Sequence, residues 1–270
     1  MRCEGALMIG IISGSGIDSW PALEDKELRT FRTKYGEAEL SMGRFAGEDV
    51  AHLSRHGHRH VRLSNHVNHR ANIAALDEAG VDAIISLSVC GAVEGTLPLG
   101  SVVVFDDFYF PSNRLPDGTI CTWYETPGDP QRGHWIFDQP FSAELRKLLI
   151  AAGNDLGLEL VGKGCYGHVD GPRFNSRAEI AALRASGVNA ISQTAGPEIV
   201  LAGELQLPFA LIGFITDYAN GVSHESQPAF EIAEAVARSG KVLPSLVGHV
   251  LLKLKSQVIR PSGFVYRFES

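Results

Sequence analysis

The sequence predicts an α/β domain in which a mixed or parallel sheet is covered by helices. Three observations carry this. Short apolar runs rich in β-branched residues alternate with segments of helical period along the 270 residues. Hydrophobic residues make up 44% of the chain and charged residues 20%, the balance of a chain that can bury a core. The residues able to carry chemistry fall where strands end, and in such folds ligands sit outside the carboxyl ends of the strands. One domain over residues 1–256 is expected, with residues 257–270 as a C-terminal arm.

The elements follow in order. Residues 8–12 form a first strand, and residues 39–45 and 49–54 flank Ala46-Gly47-Glu48 as a hairpin. Residues 64–79 read as a helix with Val67, Ala71, Ala74 and Ala75 on one face and Gly80 at its stop. Buried strands are expected over 81–88 and 101–106. The stretch 107–139 is irregular and rich in proline (Pro111, Pro116, Pro127, Pro130), and a loop of that length serves function or an interface. A helix over 141–156 and a strand over 158–169 come next. Ser176-Arg177-Ala178-Glu179 is a capping box, opening a helix to residue 186. A short strand over 190–193 precedes a helix that starts near Pro197, and 209–216 is an apolar strand. The last helix runs from 228 toward Lys255, disturbed at Gly240 and Pro244.

Composition excludes several classes. Against 31 acidic residues stand 24 basic ones, and a net charge of −7 argues against nucleic acid and against an anionic membrane surface. No apolar run reaches membrane-spanning length, and Met1-Arg2-Cys3-Glu4-Gly5 lacks the pattern of a signal peptide. Cys3, Cys90, Cys121 and Cys165 are far apart and form no metal-binding spacing, so a cytoplasmic location is expected.

Six segments carry candidate chemistry. Ser13-Gly14-Ser15-Gly16 ends the first strand and suits close approach to an anion, although Ser19 replaces the third glycine of a dinucleotide fingerprint. Residues 52–70 hold six histidines, four arginines and no acid. Arginines favour oxyanions there over the alternatives, a solvated loop or a metal site on His56, His58 and His60. Ser88-Val89-Cys90-Gly91 offers a hydroxyl at a strand end, with Cys90 as a core residue. Phe174-Asn175 offers an aromatic and an amide for a flat ring. Thr194 closes one strand and Asp217 another; Asp217 is either a helix cap or a site carboxylate with a raised pKa. An anion site, a flat-ring site and one acid are the requirements of phosphate-driven cleavage of a nucleoside.

In that order and spacing, the motifs Gly10 to Gly16 (GIISGSG), Ser54 to Gly57 (SRHG), Val67 to Asn72 (VNHRAN), Cys90-Gly91, Gly171 to Phe174 (GPRF), Arg177-Ala178-Glu179, Pro197-Glu198 and Thr216-Asp217-Tyr218 make the chain resemble the methylthioadenosine phosphorylase and trimeric purine nucleoside phosphorylase family over residues 8–256. The resemblance implies a nucleoside phosphorylase fold, with a twisted mixed sheet flanked by helices, and a homotrimer. It also implies no metal and no cofactor, with phosphate as co-substrate. By the match, Ser15, Arg55, His56, Ser88, the Val89 backbone and Thr194 hold phosphate. Phe174, Asn175, Gln193, Asp217 and Ala219 face base and ribose, with Asp217 catalytic. His134 reaches a neighbouring subunit's 5′ pocket, and Phe230 and Ala233 line that pocket. The chain departs from the methylthioadenosine pattern at Ala219 (an acid), Asn175 (Ser) and Gln193 (Met). The expected activity is pentosyl transfer from a 6-aminopurine nucleoside such as 5′-methylthioadenosine to phosphate. A 6-oxopurine nucleoside is the alternative; a metallohydrolase and a non-catalytic nucleoside binder are rivals from other classes.

Overall fold

The computed structural model describes residues 7–17, 20, 23–57, 60–223, 227–254 and 257–268. Cys3, Ser19, His58, Arg59 and Lys255 lie outside the described residues. Strand β1 (Met8–Ser13) runs between β4 (Glu48–Ser54) and β5 (Ala83–Ala92), parallel to both. Beyond β4, β3 (Gly36–Phe45) and β2 (Glu24–Thr33) continue the sheet antiparallel. On the other side, β5 pairs along its length with β12 (Phe209–Tyr218), which pairs in turn with β6 (Val102–Val104) and through it with β9 (Leu160–Val161). The end of β5 also takes β11 (Ala190–Ser192), followed by β10 (Cys165–His168) and β7 (Asp107–Tyr109), completing an 11-stranded mixed sheet. A separate ribbon pairs β8 (Gly133–Ile136) with β13 (Phe264–Arg267).

Helices cover both faces. The helices α1 (His69–Glu78) and α4 (Ala195–Glu204) bury Ile73, Leu76, Ile199 and Leu201 in one apolar cluster. On the opposite face, α2 (Ala143–Asp155) and α5 (Ala229–Leu254) bury Leu145, Leu149, Leu243 and Val250 in another. α3 (Arg177–Ala185) caps a third, small cluster around Ile180 and Val188. Among the described residues no helix is long and apolar enough to cross a membrane.

Several boundaries differ from expectation for local reasons. Helix α1 starts at His69 because Asn68 caps it, its side chain accepting from the Ala71 N–H at 3.1 Å; residues 64–66 form a separate 3₁₀ turn. The strand expected over 158–169 divides into β9 and β10 around Gly162-Lys163-Gly164. Helix α5 passes through Gly240 and Pro244 without a break. The N–H that Pro244 lacks is outweighed by the burial of Leu243, Leu246, Val247 and Val250 around it. Strand β2 was not expected, since Glu24–Thr33 is charged and almost wholly exposed; β3 recruits it as an edge.

Asn68 also donates from Nδ2 to the Tyr35 carbonyl at 2.6 Å, tying α1 to the β2–β3 hairpin. Asn68→Ala is expected to lower stability by about 1–2 kcal/mol, read as a shift in denaturation midpoint at unchanged slope.

Candidate active site

The sheet opens at the carboxyl end of β5. The β1 ladder ends at Ser86 and the β11 ladder begins at Gly91, so Leu87–Cys90 lies at the divergence. A cavity of about 310 Å³ occupies this opening. Ser15, Arg55, His56, Ser88, Val89 and Thr194 line it, as do Phe174, Asn175, Gln193, Asp217 and Ala219. Every residue expected at the phosphate or at the base and ribose therefore faces one space.

Arg55, just past β4, is only 1% exposed. Its Nε and Nη2 grip Glu198 of α4 at 2.5 and 2.8 Å; Nη2 also donates to Ser86 Oγ at 2.8 Å, and Nη1 to the Leu87 carbonyl at 3.1 Å. Burial alone would drive the guanidinium toward neutrality, but the Glu198 carboxylate more than offsets this and keeps it charged. The bidentate face expected to hold an anion is thus spent on Glu198. What Arg55 can offer an anion is the remaining Nη1–H, on the side facing Gly14. Beside it, His56 donates from Nδ1 to the Arg62 carbonyl at 2.8 Å and stacks on His60 with ring centroids 4.0 Å apart. Burial and the Arg55 charge push its pKa down to about 4, so it is neutral and presents a bare Nε2 toward Gly14.

Hydroxyl donors complete this end. Ser88 Oγ lies 2.9 Å from Ser192 Oγ, which lies 2.8 Å from the Tyr166 hydroxyl; that oxygen accepts from the Ala195 N–H. Ser88 Oγ also lies 3.1 Å from the Val89 carbonyl, so its O–H can turn between that oxygen, Ser192 and a ligand. Thr194 is the N-cap residue of α4, yet its side chain makes no cap hydrogen bond, so its hydroxyl also remains available.

Asp217 lines the same cavity beside Gly91. The register between β12 and β5 slips between Ile215 and Asp217, a bulge that turns the Asp217 side chain into the cavity. Its Oδ1 accepts from Thr216 Oγ1 at 2.7 Å. Oδ2 lies 3.2 Å from where a side chain on Gly91 would begin, so a residue without a Cβ keeps this wall open. Burial raises the Asp217 pKa, with the Thr216 hydrogen bond opposing it. A helix cap, the alternative reading of this residue, does not describe it: no helix begins there.

The phosphorylase superfamily profile matches residues 8–251. The chain belongs to the phosphorylase superfamily. It is 35% identical to a 6-oxopurine nucleoside phosphorylase of Pyrococcus furiosus, covering 88% of this chain and 90% of that one. It is 34% identical to an S-methyl-5′-thioadenosine phosphorylase of Thermofilum pendens, covering 90% of each. The fold resembles the methylthioadenosine phosphorylase of Schistosoma mansoni solved with adenine, at a TM-score of 0.82, 27% identity and 93% coverage of both chains.

Phe230 and Ala233, expected at the 5′ pocket, do not line this cavity, and neither does His134, which was expected to reach a neighbour's pocket. His134 is on β8, edge-on to Phe268 at 5.4 Å between ring centroids. Phe230 is 63% exposed in the first turn of α5, and Ala233 is also exposed. Ile232 and Val236 line the cavity instead. They are four apart and share the inward face, from which Ala233 is rotated by about a quarter turn. Ser192 and Glu198 were also missed. The Gly196-Pro197-Glu198 helix start signalled Glu198's position, but nothing local signalled its partner.

Glu198→Ala in the phosphorylase leaves Arg55 buried without its counter-charge and is expected to cost about 3–5 kcal/mol, measured by chemical denaturation. A second expectation concerns pH. Burial lowers the pKa of His52, His69 and His168 to about 3 each, and that of His56 to about 4. An unfolded chain protonates these rings near 6.5, so their neutral burial supports the fold above that pH. Stability should therefore fall as pH drops from about 6.5 toward 4, by up to about 1.4 kcal/mol per pH unit for each histidine. Melting curves across that range check it, and His69→Leu should flatten the slope.

Proposed function

We propose that the protein is a pentosyltransferase that cleaves a purine nucleoside with phosphate, giving free base and pentose 1-phosphate. The single observation that carries the reading is one cavity lined both by hydroxyl and guanidinium donors and by a half-buried carboxyl of raised pKa. Phosphate at Ser15, the Arg55 Nη1–H, Ser88, the Val89 backbone and Thr194 stabilises the developing oxocarbenium charge and then bonds to the anomeric carbon. His56, neutral and bare at Nε2, accepts from a P–OH group. As the C–N bond breaks, Asp217 shares its proton with N7 of the leaving base, while Phe174 and Asn175 flank the ring. No metal or organic cofactor is required, since phosphate is a co-substrate.

A 6-aminopurine fits first, because a protonated carboxyl donates through one oxygen and accepts from an amino group through the other. Ile232 and Val236 give the cavity an apolar wall suited to a 5′-alkylthio group. The 6-oxopurine reading is second, favoured by Ala219, which supplies no second acid, and by the similarity to the Pyrococcus furiosus enzyme. The assembly proposed is a homotrimer. Its support is the β8–β13 ribbon, which leaves Ile136, Phe264, Tyr266 and Phe268 between 45% and 54% exposed beside His134. A cytoplasmic location is supported by the unpaired thiols of Cys90, Cys121 and Cys165.

The test is base release from a nucleoside panel with and without phosphate. Release should require phosphate, and Asp217→Asn should slow adenine release by about 10²–10⁴-fold while shifting preference toward 6-oxopurines. Release without phosphate, or none at all, overturns the reading. If His134 completes a neighbour's site, mixing His134→Ala with Asp217→Asn subunits after dissociation should restore part of the activity that each lacks.

A further inference from the structure

Gln193 lines the cavity and also a neighbouring recess that it shares with Ser64, His69 and Gly171. It immediately precedes Thr194, at the anion end, and its Nε2 donates at 3.1 Å to the carbonyl of Arg173, whose neighbour Phe174 serves the base. Its Oε1 accepts from Ser64 Oγ at 2.9 Å. Because a carbonyl only accepts, the Arg173 oxygen fixes which end of the amide faces it. The packing is tight: a side chain on Gly171 would begin 2.0 Å from Gln193 Oε1 and 2.3 Å from Ser64 Oγ. The amide is therefore held from two sides. After those two bonds it retains one N–H and one oxygen lone pair, on a side chain that lines the cavity and the recess beside it.

The sugar of a nucleoside must lie between the phosphate that attacks it and the base that leaves it. At the reacting end, the carbon next to the anomeric centre carries the 2′-hydroxyl. We infer that Gln193, oriented by Ser64 and the Arg173 carbonyl, is a specificity-determining residue that hydrogen-bonds the 2′-hydroxyl and selects ribonucleosides over 2′-deoxyribonucleosides. This rests on the proposed phosphorolysis. A hydroxyl both donates and accepts, which matches the pair of sites the amide has left. A 2′-deoxy sugar leaves both sites facing an apolar carbon, and site groups left unpaired are the basis of strong discrimination.

The experiment compares adenosine and inosine with their 2′-deoxy and 3′-deoxy forms, in wild type and Gln193→Met. Wild type should favour the ribonucleoside over its 2′-deoxy form by about tenfold or more in kcat/KM, the effect of about one hydrogen bond. Gln193→Met, near in length but without donor or acceptor, should narrow that ratio to within about threefold, mainly by losing activity on the ribonucleoside. Ser64→Ala, which only frees the amide to rotate, should narrow it less and serves if Gln193→Met does not fold. An even wild-type preference, a ratio unmoved in Gln193→Met, or discrimination confined to the 3′-deoxy compounds overturns the assignment. If no nucleoside turns over, phosphorolysis is what fails. Calorimetric binding of the same nucleosides then reads the 2′ preference on its own: equal affinities overturn it, and loss of a ribo preference in the variant supports it.

Discussion

The buried pair of Arg55 and Glu198 is the constraint around which the rest of the site is arranged. It joins the end of β4, the middle of β5 and the first turn of α4, with side chains only 1% and 0% exposed. Two charges so placed are tolerable only when their remaining hydrogen-bonding capacity is met. Ser86 meets it by accepting from Arg55 and donating to Glu198, and the Leu87 carbonyl meets it where β1 has left the flank of β5. The pair thus stabilises the gap in the sheet that becomes the cavity. It also lowers the net charge of the anion end, leaving hydroxyl groups, backbone and a single guanidinium N–H to face an oxyanion.

Burial is the main cause of the surrounding neutrality; the Arg55 charge adds to it at His56 and His69, and Glu198 opposes it at His56 and His168. His56, His69 and His168 lie close enough to the pair for its charges to perturb them, and all three are driven to the uncharged form. A second full positive charge beside Arg55 would have no carboxylate of its own. His69 makes no hydrogen bond from either ring nitrogen, the behaviour of a polar ring kept neutral by its surroundings. Asp217 is likewise drawn toward its uncharged, proton-bearing form by burial. The cavity therefore presents a mostly apolar wall with a few hydrogen-bonding groups set into it.

How much of this was legible depends on the range of the interaction. The capping box at Ser176 and Glu179 forms as read, because both partners lie within one helical turn. The alternation of strands and helices, the strand-end placement of Ser15, Thr194 and Asp217, and the acid-free run around Arg55 were likewise local patterns, whereas Ser88, read as the end of a strand, lies inside β5. Strand β2 was illegible because an edge strand with both faces in solvent carries no alternation to read. Glu198 was visible only as the start of a helix, since its partner is 143 residues away in sequence.

By itself the sequence determined the order of elements, the residues offered at each strand end and, through motifs in a fixed order, the family. Tertiary structure decided what those residues are free to do. It assigned the arginine's bidentate face to a carboxylate, because a buried charge must be paired. A one-residue slip in the β5–β12 register aimed Asp217 inward. Along α5 it chose Ile232 and Val236 over Ala233, because helix rotation relative to the sheet is set by packing. Such choices depend on distances between segments far apart in the chain, and a local pattern of residue types carries no such distance.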